Sequence, residues 1–518
     1  MIEGGQRASD PADRGSSSAV ARRAPSTAAG VMWTLIGQAV PLLAAVLCIP
    51  ALIRGLGVER FGILTLIWVV ISYSSLLDLG LGRSLTKLVA ERSEERDDPA
   101  TARLARTALA LLLVLGVAGG LVVLLAASWL VRGVLAVSAA LQGEAVGALR
   151  VLALSVPAVL LSAGLKGVVE ARGRFDLVNA VRAPMGIFNV VGPLISLHYS
   201  SSLVTAVAVL VVGRLISSVC FLGICMSVMP GLTRGVALDR ASAGSLLRLG
   251  GLMTVSNVVA PLMAYVDRFM IGAVASMSVV AYYTSPYEIV SRVWLIPTSL
   301  ATVLFPLFSR TFASDRNAAA AAFRRGIKYL FLCMFPVALV IVALAREGLA
   351  MWLGPAFARL STPVLQCQGI GIFLCSFAYV ALVLVQGGGR PDLTARVHLV
   401  ELPIYLVALR YLIGAYGIFG AALAWLIRNL VEAVVLLGIA RHLLREIGPT
   451  LRWLAAAATG AAAVLVLSVM LPTVATKIMF VAVVASAFTL AAWLVVLSPE
   501  ERSRIKQPLA RRSAGLFQ

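Results

Sequence analysis

Apolar residues run along this chain in unbroken stretches of about twenty, beginning at Val31 and recurring almost to the C-terminus. Each stretch is long enough to cross a ~30 Å hydrocarbon core as a helix. Helices are predicted at roughly 30–53, 62–81, 105–131, 149–169, 177–197, 203–229, 249–273, 279–308, 329–345, 363–386, 397–413, 417–440, 453–472 and 478–498. The longest internal stretches left between them, near 82–104 and 346–362, are too short for a soluble catalytic domain. The expected fold is therefore an all-α polytopic membrane protein of about fourteen transmembrane helices, and function has to reside among the helices.

Lys and Arg collect on alternate sides of this pattern. Arg83, Lys87, Arg92, Arg172, Arg174, Arg234, Arg310, Arg324, Lys328, Arg390, Arg441 and Arg502 fall on one side, with only Arg54, Arg60, Arg132, Arg150, Arg346, Arg359, Arg410 and Lys477 on or near the other. Positive residues resist translocation, so this bias predicts that both termini are cytoplasmic. The same rule accounts for the net charge of +20, which in a soluble chain would suggest nucleic acid as a partner and here does not.

Residues 1–28, rich in Ser, Ala, Gly and Arg, have no short apolar core and read as a disordered cytoplasmic tail; 501–518 reads as a basic one. The six cysteines lie inside apolar runs without CxxC spacing, and the three histidines form no metal-ligand pattern. No metal or other cofactor is expected.

A six-helix repeat is predicted. Gly173-Arg174-Phe175-Asp176-Leu177 recurs 216 residues later as Gly389-Arg390-Pro391-Asp392-Leu393, with Arg182 matched by His398. Mid-span Arg214 has a counterpart in Arg428. Because six is even, the two lobes share one orientation. The chain divides into an N-terminal lobe (29–230), a C-terminal lobe (231–445) and two further helices (446–500).

Ionisable groups in hydrocarbon cost about 2.5–3.5 kcal/mol each on insertion scales, so each needs a polar cavity or a partner. Glu288 and Arg292 stand at i,i+4, as do Arg428 and Glu432, which is ion-pair spacing. Arg182, Arg214 and Arg268 have no acid at i±3 or i±4, and Asp267 points about 100° away from Arg268. Their partners are either distant side chains, lipid headgroups or an anionic substrate, whose phosphate oxygens match a guanidinium fork. Asp78, at the predicted end of helix two, is a candidate coupling carboxylate or helix-end cap. Gly116 and Gly120, at GxxxG spacing, suit helix packing within one chain or between two. With no GxxxxGK[ST] motif, ATP hydrolysis by this chain is not expected.

Four segments resemble the lipid-linked oligosaccharide flippases and polysaccharide exporters of the multidrug/oligosaccharidyl-lipid/polysaccharide transporter superfamily. They are Leu77-Asp78-Leu79-Gly80-Leu81-Gly82, Val266-Asp267-Arg268-Phe269-Met270-Ile271-Gly272, Ala281-Tyr282-Tyr283 with Pro286-Tyr287-Glu288, and Tyr416-Gly417-Ile418-Phe419-Gly420-Ala421-Ala422. The resemblance implies two six-helix lobes around a cleft that moves an undecaprenyl-pyrophosphate-linked oligosaccharide across the bacterial inner membrane for surface polysaccharide synthesis. It also implies a non-enzymatic role beside a polysaccharide polymerase and glycosyltransferases. Arg214, Arg428, Arg182, Arg292 and Arg268 are then expected cavity residues, with Asp78, Glu288, Glu432 and Asp267 as coupling or ion-pair carboxylates. Two alternatives within the superfamily are an ion-coupled drug or small-solute antiporter and a lipid II flippase. Against the latter, the first span from Val31 to Ile53 carries no arginine.

Overall fold

A computed structural model of the chain describes residues 43–74, 78, 80–91, 99–233, 239, 244 and 262–503. The expectations for the tail at 1–28, the start of helix one, the first half of helix seven with Pro261, and the basic segment 504–518 lie outside the described residues. Within them the chain is helical without a strand, and ten helices are long and apolar enough to cross a membrane. One of the ten, Pro391–Leu443, is two arms in series, because Gly417 inside it has φ 58° and ψ −135°.

In chain order the helices are α1 (Leu43–Leu56), α2 (Val58–Ser74), α3 (Leu81–Glu91), α4 (Pro99–Trp129), α5 (Ala139–Ala153), α6 (Val156–Ala171), α7 (Phe175–Ser196) and α8 (Leu203–Val228). They continue with α9 (262–274), α10 (Met277–Val293), α11 (Leu295–Ser314), α12 (Arg316–Ala343), α13 (Ala345–Leu353), α14 (Pro355–Gly387), α15 (Pro391–Leu443), α16 (Gly448–Val469) and α17 (Val474–Ala491).

The two stretches expected to lie between helices are largely helical themselves. A turn at Asp78 and Gly80 leads into α3: its Leu81, Leu85 and Val89 are fully buried while Arg83 is exposed. Apolar residues at i, i+4, i+8 with charges between them make an amphipathic helix too polar for a span search to detect. Likewise 346–362 is filled by α13 and the first turns of α14.

The turn before α3 explains the Leu-Asp-Leu-Gly-Leu-Gly motif. Asp78 Oδ1 accepts the Gly80 N–H at 2.8 Å, Gly80 takes φ 74°, and a Cβ on Gly82 would lie 2.8 Å from Asp78 Oδ2. Asp78 thus holds a tight reversal that only glycines can follow closely. Gly116 and Gly120 let α4 approach α5 and α6: Cβ atoms there would meet Pro157 Cα at 2.6 Å and the Ala153 carbonyl oxygen at 2.8 Å. The GxxxG pair packs helices within the chain.

The repeated turn recurs bond for bond. Arg174 N–H donates to Val169 O (3.2 Å) and Arg390 N–H to Val385 O (3.1 Å), with Gly173 and Gly389 both at positive φ. Each arginine then clamps its aspartate, Nε to Oδ1 3.0 Å in both copies.

Three apolar cores result. One is confined to residues 81–232 and one to residues 290–488, while the third joins residues 45–71, 127–152 and 203–211 to residues 271–283, 357–367 and 405–424. The shared core seals one end of the bundle. There α2 crosses α10 so closely that a Cβ on Gly62 would sit 1.8 Å from the Met277 carbonyl oxygen. Ala136 N–H donates to Gly272 O (2.8 Å), Ser138 N–H to Glu59 Oε1 (2.9 Å), and Trp352 Nε1 to Val46 O (2.6 Å). Arg60 pairs with Glu144 at 2.9 Å, and Glu144 also accepts the Leu203 N–H at the start of α8.

Candidate functional site

The charged side chains inside the bundle form two unlike groups built on the repeated arginines. In the second half of the chain, Tyr416-Gly417-Ile418-Phe419-Gly420 is the reversal that folds the two arms of α15 together. Gly417 supplies the positive φ, and Gly420 comes so close to Leu412 that a Cβ would lie 1.8 Å from its carbonyl oxygen. That hairpin brings Glu401 on the first arm to Arg428 on the second.

Arg428 Nε donates to Glu401 Oε1 at 3.1 Å, Nη2 to Glu432 Oε2 at 2.8 Å, and Nη1 to the Met263 carbonyl at 3.4 Å. Its guanidinium lies 5.5 Å from the Tyr405 ring centre, and Glu432 also faces His398 Nε2 at 3.2 Å. The expected i,i+4 pair of Arg428 and Glu432 therefore exists, within a larger network. Glu401 and His398 were not singled out as its members, although Glu401 is a carboxylate inside a predicted span and carries that signal in the sequence. The reversal at Gly417 sets their pairing, and no local spacing reveals it.

The two motifs before and at the start of α10 interlock beside this network. Asp267, 1% exposed, accepts the Tyr283 hydroxyl at 2.6 Å and the Arg268 N–H at 2.8 Å. Arg268, 5% exposed, has its guanidinium 4.8 Å from the ring centres of both Tyr265 and Tyr287. A cation held between two aromatic faces is stabilised by their quadrupoles. Further along α10, Arg292 pairs with Glu288 at 3.2 Å, as their spacing predicts.

Around these groups α9, α10, α14 and both arms of α15 enclose a cavity of about 420 Å³. Its wall is aromatic, with Trp294 and Tyr379 5.2 Å apart and Tyr287 edge-on to Trp425 at 6.3 Å. Polar groups of His398, Asn429, Arg428 and Glu432 complete it. His398, Glu401 and Glu432 offer atoms within 4.8 Å of one another, a set that suits a cation by composition. The Arg428 guanidinium already bonds both carboxylates.

The first-half counterpart differs in one decisive respect. Arg214 on α8 donates through Nη2 to Asn189 Oδ1 on α7 at 2.9 Å, and its Nε is buried without a partner. Asn189 and Tyr405 are 216 residues apart, so equivalent positions touch the repeated arginine in both halves. The positions equivalent to Glu401 and Glu432, however, are Met185 and Ser218. Among the described residues no carboxylate pairs with Arg214. Arg182, exposed on α7, stands seven residues before Asn189 and so on the same helix face. Asp78 forms the turn that leads into α3, accepting the Gly80 N–H.

Comparison with known proteins fits this architecture. A putative O-antigen transporter of Shigella flexneri is 28% identical over 408 residues, 78% of this chain and 95% of the relative. Among solved structures, an inward-facing multidrug resistance MATE transporter of the MOP superfamily aligns with TM-score 0.69 at 17% identity, covering 79% of this chain and 95% of its own. The lipid II flippase MurJ, in an inward closed conformation, aligns with TM-score 0.67 at 12% identity, covering 91% and 100%. The transporter fold is thereby shown. Residues 27–312, more than half the chain, match the family described as polysaccharide biosynthesis protein, and the chain belongs to that family, as a multi-pass membrane protein with the MOP superfamily fold.

Proposed function

We propose that this protein translocates an undecaprenyl-pyrophosphate-linked oligosaccharide from the cytoplasmic to the outer leaflet of the bacterial inner membrane, for surface polysaccharide synthesis, with Arg214 as the phosphate contact. The observation that carries this reading is the asymmetry between the repeated arginines. Arg428 is paired with two glutamates, whereas among the described residues Arg214 has no carboxylate partner and its buried Nε has no hydrogen bond. A buried cation without a counter-ion is costly in a low-dielectric interior, and an anionic cargo relieves that cost whenever it binds. A guanidinium suits phosphate because it presents parallel N–H donors and stays charged wherever it is buried. Arg182, on the face of α7 that carries Asn189, extends the positive surface by about two helical turns.

The family match and the O-antigen transporter relative support a lipid-linked glycan as cargo. In this reading the lobes are 29–230 and 231–445, followed by two accessory helices at 446–500, and the basic side of the bundle faces the cytoplasm together with both termini. Polymerase and glycosyltransferases act on either side of the step. No chemistry is performed on the cargo, so the protein is a carrier and not an enzyme.

Deletion of the protein is expected to trap undecaprenyl-linked oligosaccharide facing the cytoplasm and to abolish surface glycan. Wild type restores both. Arg214→Ala is expected to lower flux roughly ten- to hundredfold, the cost of one charge-assisted contact, and Arg214→Lys to recover part of it. Normal surface glycan with no trapped intermediate in the deletion strain would overturn the cargo. Full activity of Arg214→Ala would overturn the phosphate contact alone.

A further inference from the structure

The aromatic cavity of the second half is a half-open cleft of ligand size, and its charges narrow what can enter. Its volume of about 420 Å³ lies within the roughly 300–1,000 Å³ typical of small-ligand sites. An anion finds no free cation on the described wall: Arg428, the one cation that lines it, is bonded by Glu401 and Glu432, and Arg268, stacked between the Tyr265 and Tyr287 rings, does not line it. An organic cation finds no free carboxylate on the described wall either, because Glu432, the one carboxylate that lines it, already faces both Arg428 and His398. What remains is a set of half-buried aromatic faces, Trp294, Tyr379 and Tyr287, together with buried Trp425, and the hydrogen-bonding groups of His398 and Asn429.

A neutral ligand with apolar faces and a hydroxylated rim matches that inventory. The C–H bonds of a pyranose ring point above and below it and are drawn to the negative face of an aromatic ring, while its hydroxyls donate and accept around the edge. We propose that this cavity is a saccharide subsite, which takes a sugar ring of the cargo while the phosphates are held in the other half of the molecule. The proposal rests on the lipid-linked glycan reading above and adds a division of labour to it: charge recognition at Arg214, ring recognition between Tyr379 and Trp425.

The test places a photoreactive side chain at each subsite of the full-length protein in its own membrane. Cells carrying Tyr379→p-benzoylphenylalanine, or Asn189→p-benzoylphenylalanine beside Arg214, are irradiated while making metabolically labelled surface glycan, and labelled adduct on the protein is measured. Trp294→p-benzoylphenylalanine serves as a second cavity position where the first variant fails to restore surface glycan. Adduct from the cavity position is expected, falling about tenfold when Trp425→Ala is added and surviving Trp425→Phe, which keeps an aromatic face. Adduct from position 189 alone overturns the saccharide subsite and leaves the Arg214 reading intact. No glycan adduct from any position, in cells that still make surface glycan, overturns both.

Discussion

A guanidinium inside a membrane protein is as stable as the company it keeps, and Arg428 shows how completely that company can be internal. Two glutamates, a tyrosine face and a carbonyl surround it, and His398 faces one of those glutamates. Arg428→Met leaves two buried carboxylates without their cation, a change that typically costs about 3–5 kcal/mol, and is expected to lower the melting temperature of the purified protein. Adding Glu401→Gln and Glu432→Gln to the same chain is expected to restore most of the loss, because neutral amides need no counter-ion. Arg214→Met has no such liability and is expected to leave the melting temperature within a few degrees of wild type. At the C-terminal end a second pair behaves differently because water reaches it. The Glu501 carboxyl accepts two bonds from Lys328 Nζ, at 2.6 and 2.7 Å, one from the Tyr329 hydroxyl and the Ser498 N–H at 2.8 Å; these partners hold it down to about 2. A carboxylate lowered by docking stabilises the docked form fully above its ordinary pKa, near 4.3, and loses that contribution as pH falls towards 2. A nitroxide on Ser503→Cys is expected to be immobile at pH 7 and to become mobile between about pH 4 and 2, whereas Lys328→Met frees it at neutral pH.

Among the elements, the spans were legible wherever apolar runs were long, and their ends were not. Helix two was expected to reach 81, but the Asp78 turn and the amphipathic α3 that begins at Leu81 end it sooner. Hydropathy registers average polarity and is blind to a reversal fixed by one carboxylate and two glycines. That role makes a clear prediction. Asp78→Asn keeps an acceptor for the Gly80 N–H and is expected to support transport at near wild-type levels, while Asp78→Ala loses the turn; complementation of surface glycan checks both. A carboxylate needed for ion coupling would fail in both variants. The local ion pairs Glu288–Arg292 and Arg428–Glu432 were equally legible, because i,i+4 spacing is a property of one helix. Glu401 was missed because its partner lies across a hairpin. The GxxxG glycines 116 and 120 face α5 and α6, so Gly116→Leu is expected to lower thermal stability without changing the oligomeric state measured by light scattering.

For the whole molecule, the shared core at one end and the separate cores elsewhere describe a bundle closed at that end. A cargo that crosses must part the contacts there, above all the approach of α2 to α10 at Gly62. Gly62→Leu places a side chain where the Met277 carbonyl lies and is expected to force the two helices apart, abolishing transport and exposing a cysteine placed at Tyr282 to a membrane-impermeant maleimide. The repeat was legible through a five-residue turn and one arginine, and the turns keep the same hydrogen bonds in both copies. What the repeat did not disclose was the divergence between its halves, acidic partners in one and Met185 and Ser218 in the other. That divergence has an electrical consequence. Arg428 is answered by carboxylates within its own cluster, but among the described residues no carboxylate answers the positive charge of Arg214. A charge that moved through the whole field would respond by about 2.3 kcal/mol per 100 mV, so an interior-negative membrane draws an unloaded Arg214 site towards the cytoplasm. In the proposed reading, phosphate covering that charge weakens the bias and releases the loaded site to travel outward.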